Sequence, residues 1–462
     1  MTVASPRARP ARRAPTDLPF TFADKALAEA LATERGEPDW VRTERLAAAD
    51  AFATLPIEPN QLYTTYLDLR NAELASAQPY SRTATAPNAI ASARLPEGVA
   101  GLIDIREDGV AGLVLEPAAI AAGVILETFG AALARDPDGL RADIEGGATL
   151  PDDDRLAALA RGFWSQGIRL HVPAGVRLER PIVMRWSVGV ADRALIGRTR
   201  IDLGEGASAS IVEELGPSGV IPADAAQSLL VGTLEVTLGR SAQLEIASLQ
   251  ELPPSTVAFQ HRHAVIGEGA TLHWALAQLG GRLVRSRVDN RLEGDRSSVE
   301  QVEIVFGGQD QLFDLTSYTR HVGRDTTGNL LSKGVLMDRS RSFMKGMIVI
   351  DRSAVGTDSF LGEFGMNLSK QTRSVAIPSL EIDQPDCRRA AHSSSVGPID
   401  DAQLFYLESR GIPADEARKF IVLGFLEPVV ARVPLETARE QLRERLEEKW
   451  DTGPGAGVTA AA

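Results

Sequence analysis

Cysteine is nearly absent: Cys387 is the only one in 462 residues. A single thiol excludes an internal disulfide, a CxxC zinc site and iron–sulfur ligation by the cysteines of one chain alone, and it fits a reducing, cytoplasmic compartment. Aromatic residues make up 5%, so the core has to be built from Val, Leu, Ile and Ala, and the platforms on which sugars stack are scarce. Long apolar runs are missing as well. The stretch around residues 112–126 is broken by Glu116 and Pro117, and no segment reaches the roughly 18 apolar residues that suggest a membrane helix. Positive charge is in deficit, with a formal net charge of −13, which repels phosphate backbones and argues against a nucleic-acid partner. The phosphate-cradling G-x-x-x-x-G-K-[ST], the zinc-binding H-E-x-x-H and the nucleophile elbow G-x-S-x-G are all lacking.

What is present divides along the chain. Residues 1–18 carry Arg7, Arg9, Arg12 and Arg13, a basic tail without the apolar segment of a secretory signal, expected to be disordered. Residues 19–165 read as mainly helical. Phe22–Glu34 and Asp39–Thr54 have Ala and Leu at helical spacing, Gly36 separates them, and Pro56 and Pro59 then break the chain. Residues 80–100 resemble a linker, 101–115 turn β-like, and 117–163 return to a helical pattern, with Asp152–Asp154 supplying an acidic first turn.

From 166 to 397 the pattern is of short alternating runs punctuated by glycine. A motif recurs at irregular intervals: an aliphatic residue, a tight turn with glycine, then a strand. It stands at Leu203–Ala207, Leu238–Ala242, Ile266–Ala270 and Leu292–Arg296. Each unit is too small to bury its own apolar face, so stacking is required. The absence of convincing crossover helices argues against a doubly wound or TIM fold. A parallel β-helix fits this region better than its competitor, a β-sandwich. Helices resume over 398–450, with Gly411 and Pro428 as interruptions, and 451–462 read as a disordered tail.

Candidate chemistry is sparse. His261 and His263 alternate on one strand, where surface histidines are commoner than metal ligands. Asp289, Glu293 and Arg287 have the residue types that β-helix polysaccharide lyases display on an exposed strand face, although turn acids in solvated pairs account for them equally.

Several segments together resemble the SufB/SufD family. These are Ala157–Ile168 with Val172–Ile182, then His321 with Thr326, Thr327 and Ser332–Leu336, and finally Pro378–Ile382, His392, Val396-Gly397 and Gln403–Ile412. The resemblance covers about 100–440 and implies a right-handed parallel β-helix core flanked by N-terminal and C-terminal helical regions. It implies a non-catalytic scaffold in iron–sulfur cluster assembly, a heterodimer of SufB and SufD through β-helix strands, and a SufC-type ATPase docked on the C-terminal helices. Within the family the chain is most similar to SufD. Leu361–Ser374 lacks the cysteine of SufB-type chains, and Ser393 follows His392 where they have Glu; Gly36–Trp40 alone is similar to SufB. By the resemblance His392 lies near the cluster and interface, a metal ligand only with partner-supplied groups, and Cys387 is a plain thiol. Leu404, Phe405, Leu407, Phe420 and Phe425 are expected to dock the ATPase. No cofactor is expected to bind stably to this chain alone, although a transient cluster at the SufB interface fits the family. The alternatives are a homomeric SufB/SufD-like scaffold and a polysaccharide lyase.

Overall fold

The computed structural model describes residues 14–18, 20–79, 94–145, 153–222, 224–433 and 435–452. Most of the expected basic tail, the linker stretch 80–93, Asp152 and the C-terminal stretch 453–462 lie outside the described residues.

Two helices open the chain, α1 (Lys25–Arg35) and α2 (Asp39–Thr54). Asp24 caps α1 by accepting from the Leu27 N–H, and Gly36 closes it at φ 61°, the left-handed conformation that glycine tolerates. Val41, Arg45, Ala48, Ala49 and Phe52 form the buried face of α2. Past Pro56 the helical habit expected to about residue 80 gives way to a mostly non-helical strap, because Pro56 and Pro59 remove amide donors. The strap ends in β1 (Gln78–Pro79).

A hairpin follows, β2 (Gly101–Arg106) and β3 (Gly109–Leu115), and then α3 (Pro117–Ala121), β4 (Ile125–Thr128), α4 (Phe129–Arg135), α5 (Pro137–Glu145) and α6 (Arg155–Phe163). The uniformly helical reading of 117–163 is corrected at β4. Gly123, at φ 85°, stops α3, and Ile125–Thr128 pairs antiparallel with the first long strand. Asp154 caps α6 by accepting from the Leu156 and Ala157 amides.

The core consists of β5 (Gln166–Val172), β6 (Ile182–Val188), β7 (Arg193–Leu203), β8 (Ser208–Pro217), β9 (Ser228–Leu238), β10 (Gln243–Gln250), β11 (Thr256–Ile266) and β12 (Thr271–Gln278). It continues through β13 (Leu283–Leu292), β14 (Ser298–Gly307), β15 (Leu312–His321), β16 (Thr327–Leu336), β17 (Arg341–Ile350), β18 (Asp358–Asn367), β19 (Arg373–Ile382) and β20 (Arg389–Pro398). Odd-numbered strands from β5 on form one parallel sheet and even-numbered strands from β6 on the other. The chain therefore alternates between sheets, and each odd–even pair is one rung of a flattened parallel β-helix.

The recurring motif is the corner of a rung. Leu203, Leu238, Ile266, Leu292, His321, Ile350 and Ile382 stand in one register column. After that column the left-handed position is taken by Gly206, Ser241, Gly269, Arg296 and Asp325 in successive corners. Corners stack so closely that a Cβ on Gly294 would lie 2.0 Å from the Glu268 amide nitrogen, which is why the motif keeps a glycine there. His321 takes the aliphatic place and is fully buried, with Nδ1 2.8 Å from Thr326 Oγ1 and Nε2 3.0 Å from Ser359 Oγ. Burial pushes its pKa down to about 4, so it is a neutral part of the core.

Helices cover both outer faces. Phe52, Phe163, Trp164 and the strap residues Leu67 and Leu69 share a cluster with Ile196, Val231, Phe259 and Phe343 of the odd sheet. The chain ends in α7 (Asp401–Ser409), α8 (Ala414–Val430) and α9 (Glu436–Thr452). Val422, Leu426, Val429, Leu442, Leu446 and Trp450 pack on Ala275, Ile304 and Phe306 of the even sheet. Pro428 does not interrupt α8 as the sequence suggests: it sits in the last turn, and the helix runs on to Val430. No described helix is long and apolar enough to cross a membrane.

Candidate functional site

The two ends of the β-helix differ. At the first end β4 lies antiparallel on β5, and the β2–β3 hairpin covers β6. At the other end β19 pairs only with β17 and β20 only with β18. Each of these two strands is ten residues long, and neither has a strand on its outer side among the described residues. Earlier strands are largely buried, whereas β19 is mostly half-buried and β20 mostly exposed. Ile382 is 44% and Val396 39% exposed. An unpaired edge of that length is a template for another strand, and proteins that avoid such pairing cover or charge it.

His392 is on this end. It pairs in register with Leu361 in the column Ile246, Trp274, Gln301, Leu330, Leu361, so its side chain belongs to the inward row of the last rung, and it is exposed there. Cys387 lies half-buried in the corner before β20, packed beside Leu380 and Ala390 against Ile348, Ile350 and Leu361. Among the described residues no group of three or more His, Cys, Asp or Glu is arranged to hold a metal.

A second surface is the α7–α8 hairpin. No residue of α7 is buried, and Phe405 is 72% and Phe420 62% exposed, with Tyr406 exposed beside them. Leu404 and Leu407 are half-buried. Phe425 is half-buried too and turns toward the body, where its carbonyl accepts from Lys333 Nζ at 2.6 Å and its ring lies 4.5 Å from that ammonium. Of the five aromatic and leucine candidates, then, Phe405 and Phe420 are presented to solvent and Phe425 anchors the hairpin.

The remaining candidates resolve into buried structure. His261 and His263 lie not on the surface but beneath the helical layer, 3% and 5% exposed. His261 is clamped between Asp289 Oδ2 at 2.6 Å and Asp154 Oδ2 at 3.1 Å. Burial opposes its charging, but hydrogen bonds and charge from Asp154 and Asp289 outweigh that and raise its pKa above the ordinary value. Arg287 makes paired contacts to Asp289 at 2.7 and 3.0 Å and sits over the Tyr318 ring. Glu293 pairs with Arg291 at a strand end. Asp289 and Arg287 are consumed in a buried network, so the exposed acidic strand face of a lyase is not formed.

The family model for the SUF system FeS cluster assembly, SufBD core domain, matches residues 187–425, more than half of the chain. The iron–sulfur cluster assembly protein SufD of Bacillus subtilis is 27% identical over 440 residues, which is 92% of this chain and 98% of that protein. An iron–sulfur cluster assembly SufBD family protein of Staphylococcus saprophyticus is 26% identical over 291 residues, and one of Staphylococcus epidermidis 27% over the same length. In both of these the alignment spans 63% of this chain and 62% of the relative.

Proposed function

This chain belongs to the SufB/SufD family of iron–sulfur cluster assembly proteins and is most like SufD, and from that membership we propose that it is the non-catalytic, SufD-like scaffold subunit of an assembly complex. One observation carries the reading: the β-helix is covered at its first end and bare at β19–β20. A SufB-type subunit would continue both sheets by adding its own terminal strands, main chain to main chain. The cluster is cargo of that joint. His392, on the inward row of the last rung, would offer one imidazole, and the partner would supply the remaining ligands, since one side chain cannot hold a cluster. The chain alone binds no cluster stably in this account, and cytoplasmic assembly is the setting we infer.

The α7–α8 hairpin is the proposed dock for a SufC-type ATPase, with Phe405 and Phe420 as anchors and Leu404 and Leu407 beside them. Co-purification tests both contacts. The native chain is expected to retain a SufB-type chain and an ATPase together. Phe405→Ser with Phe420→Ser is expected to lose the ATPase, retain the SufB-type chain and leave folding stability within about 0.5 kcal/mol, because both rings are exposed. Loss of both partners together, or of neither, contradicts the assignment of separate surfaces. A stable cluster on the isolated chain after reconstitution with iron and sulfide would favour the homomeric scaffold instead.

A further inference from the structure

The inside of the β-helix is mainly apolar with scattered polar side chains, but one column of the even sheet gathers its buried carboxyls. Register places Glu213, Ser248, Leu276, Glu303, Ser332, Glu363 and Ser394 in line, from β8 to the bare strand β20. All of these glutamates are at most 6% exposed, and neighbouring members stand one strand spacing apart, about 4.8 Å. At the inner end the charge is neutralised. Arg262, from the facing sheet, donates to Glu213 Oε2 at 2.6 Å and to Ser248 Oγ at 3.1 Å.

Further out no such pairing is made. Glu303 accepts from Gln278 Nε2 at 3.5 Å and feels Arg262 only at a distance. Glu363 Oε2 accepts from the Ile377 amide at 2.9 Å. Its carboxyl is admitted by Gly346 on the facing strand, where a Cβ would lie 2.9 Å from Glu363 Oε1. The inward rows of β17 and β19 opposite bring no ionisable side chain, but the Tyr63 phenol of the strap donates to the Gly346 carbonyl at 3.0 Å and interacts with Glu363, and burial pushes its own pKa up so that it stays protonated. The ionisable groups around Glu363 are therefore Tyr63, Glu303 inward and the His392 row outward. Burial pushes Glu303 up to about 7 and Glu363 up to about 8, so near neutral pH Glu363 is mostly a neutral acid and Glu303 is divided between its two forms.

Independently of the carboxyls, polar atoms aimed into the same interior find no protein partner: Gln278 Oε1, Ser286 Oγ, Gln260 Nε2 and Arg262 Nε. Buried polar atoms left over in this way call for internal water.

We propose that Glu303, Ser332, Glu363 and Ser394, with the water these unpaired atoms bind, form a proton store inside the β-helix that exchanges through the bare rung at β19–β20. The balance is simple. A proton leaves Glu363 and passes through the Ser394 hydroxyl, which takes one and gives one, to a base at the open end. The proton on Glu303 then refills Glu363 through Ser332. The reverse run takes up the proton that a partner thiol releases when it becomes a metal-bound thiolate. Use of the store during cluster assembly rests on the partner reading above; the store itself is a property of this chain.

It is therefore tested on the isolated full-length chain by infrared titration and by rapid mixing with D2O. Two carboxylic-acid carbonyl bands are expected at pH 6.5, fading with midpoints near 7 and 8. Glu303→Gln should remove the first and Glu363→Gln the second, with unchanged melting temperature, since Gln mimics the neutral acid. Ser332→Ala should slow deuterium exchange of the Glu303 band about tenfold and leave that of Glu363 unaltered, because only Glu303 depends on that hydroxyl. No acid band at pH 6.5, or equal exchange rates untouched by Ser332→Ala, would overturn the proposal. Either outcome is independent of whether a SufB-type chain binds, which co-purification reports separately.

Discussion

A chain carrying Ile382→Asp and Val396→Asp is expected to lose capture of a SufB-type subunit by about a hundredfold or more, while melting within about 2 °C of the parent. Both side chains are more than a third exposed on the last rung, so neither change opens a cavity or buries a charge in the lone chain, and surface substitutions of that kind cost about 0.5 kcal/mol or less. In the joint the situation reverses. A strand laid along β19 or β20 would cover positions 382 and 396, and an unpaired carboxylate there would lose its water without gaining a counter-charge, a cost of several kcal/mol. Charged side chains on an edge are also the device by which strands refuse partners. Binding is measured by titration calorimetry and folding by thermal melting. Unchanged affinity would mean that the partner sits elsewhere, and a large fall in melting temperature would mean that the edge already carries part of the fold.

The largest effect on stability is expected from Lys345→Ala, about 3–5 kcal/mol in chemical denaturation. Lys345 is fully buried, with Nζ 2.5 Å from Asp314 Oδ1 and 3.4 Å from Glu58 Oε2. Arg285 bridges the same two carboxylates at 2.5 and 2.8 Å. Removing the lysine leaves two buried carboxylates on one guanidinium. Lys345→Met combined with Glu58→Gln keeps the charges balanced and should recover most of the loss, which separates the electrostatic cost from lost packing. Glu58 belongs to the strap, so this cluster also fastens the N-terminal layer to the odd sheet. Its pH dependence follows in sign. Burial works to raise the Asp314 pKa, but Lys345 and Arg285 overcome it and hold the group below its ordinary 3.8. A depressed carboxyl stabilises fully above the unfolded value and loses that contribution as pH falls below about 4. Asp154 and Asp289 are lowered in the same sense by His261 and Arg287. The parent is therefore expected to loosen steeply below pH 4, and Lys345→Ala to show a shallower acid limb.

The repeat could be read from residues because its corners are local. An aliphatic residue, a close-packed glycine and a left-handed position lie within five residues at Leu203–Ala207, and no distant contact is needed to recognise them. The strand β4 was hidden by its neighbours. Ala-rich segments on both sides impose a helical period on Val124–Thr128, and only pairing with Ile168–His171 makes it a strand. Pro428 misleads for a related reason, since position within the last turn decides whether a proline breaks a helix. The polar column was invisible for a different reason. Glu303, Ser332 and Glu363 each look like ordinary outward residues of an alternating strand, and their alignment depends on register between strands about thirty residues apart in sequence. The same holds for His261, whose partners Asp154 and Asp289 come from a helix cap and the next rung. At the open end the motif pointed to His392, but the bareness of β19 and β20 is a property of the whole stack.

The central claim is that this bare end is completed by another chain, and backbone hydrogen exchange measures it directly. In the lone chain, the outward amides of β19 and β20 should exchange quickly, since no strand among the described residues pairs them. On addition of a SufB-type partner, protection should rise across 373–382 and 389–398 and little elsewhere in the β-helix. Exchange over those two strands that is unaltered by a bound partner, or already slow in the isolated chain, would contradict the account.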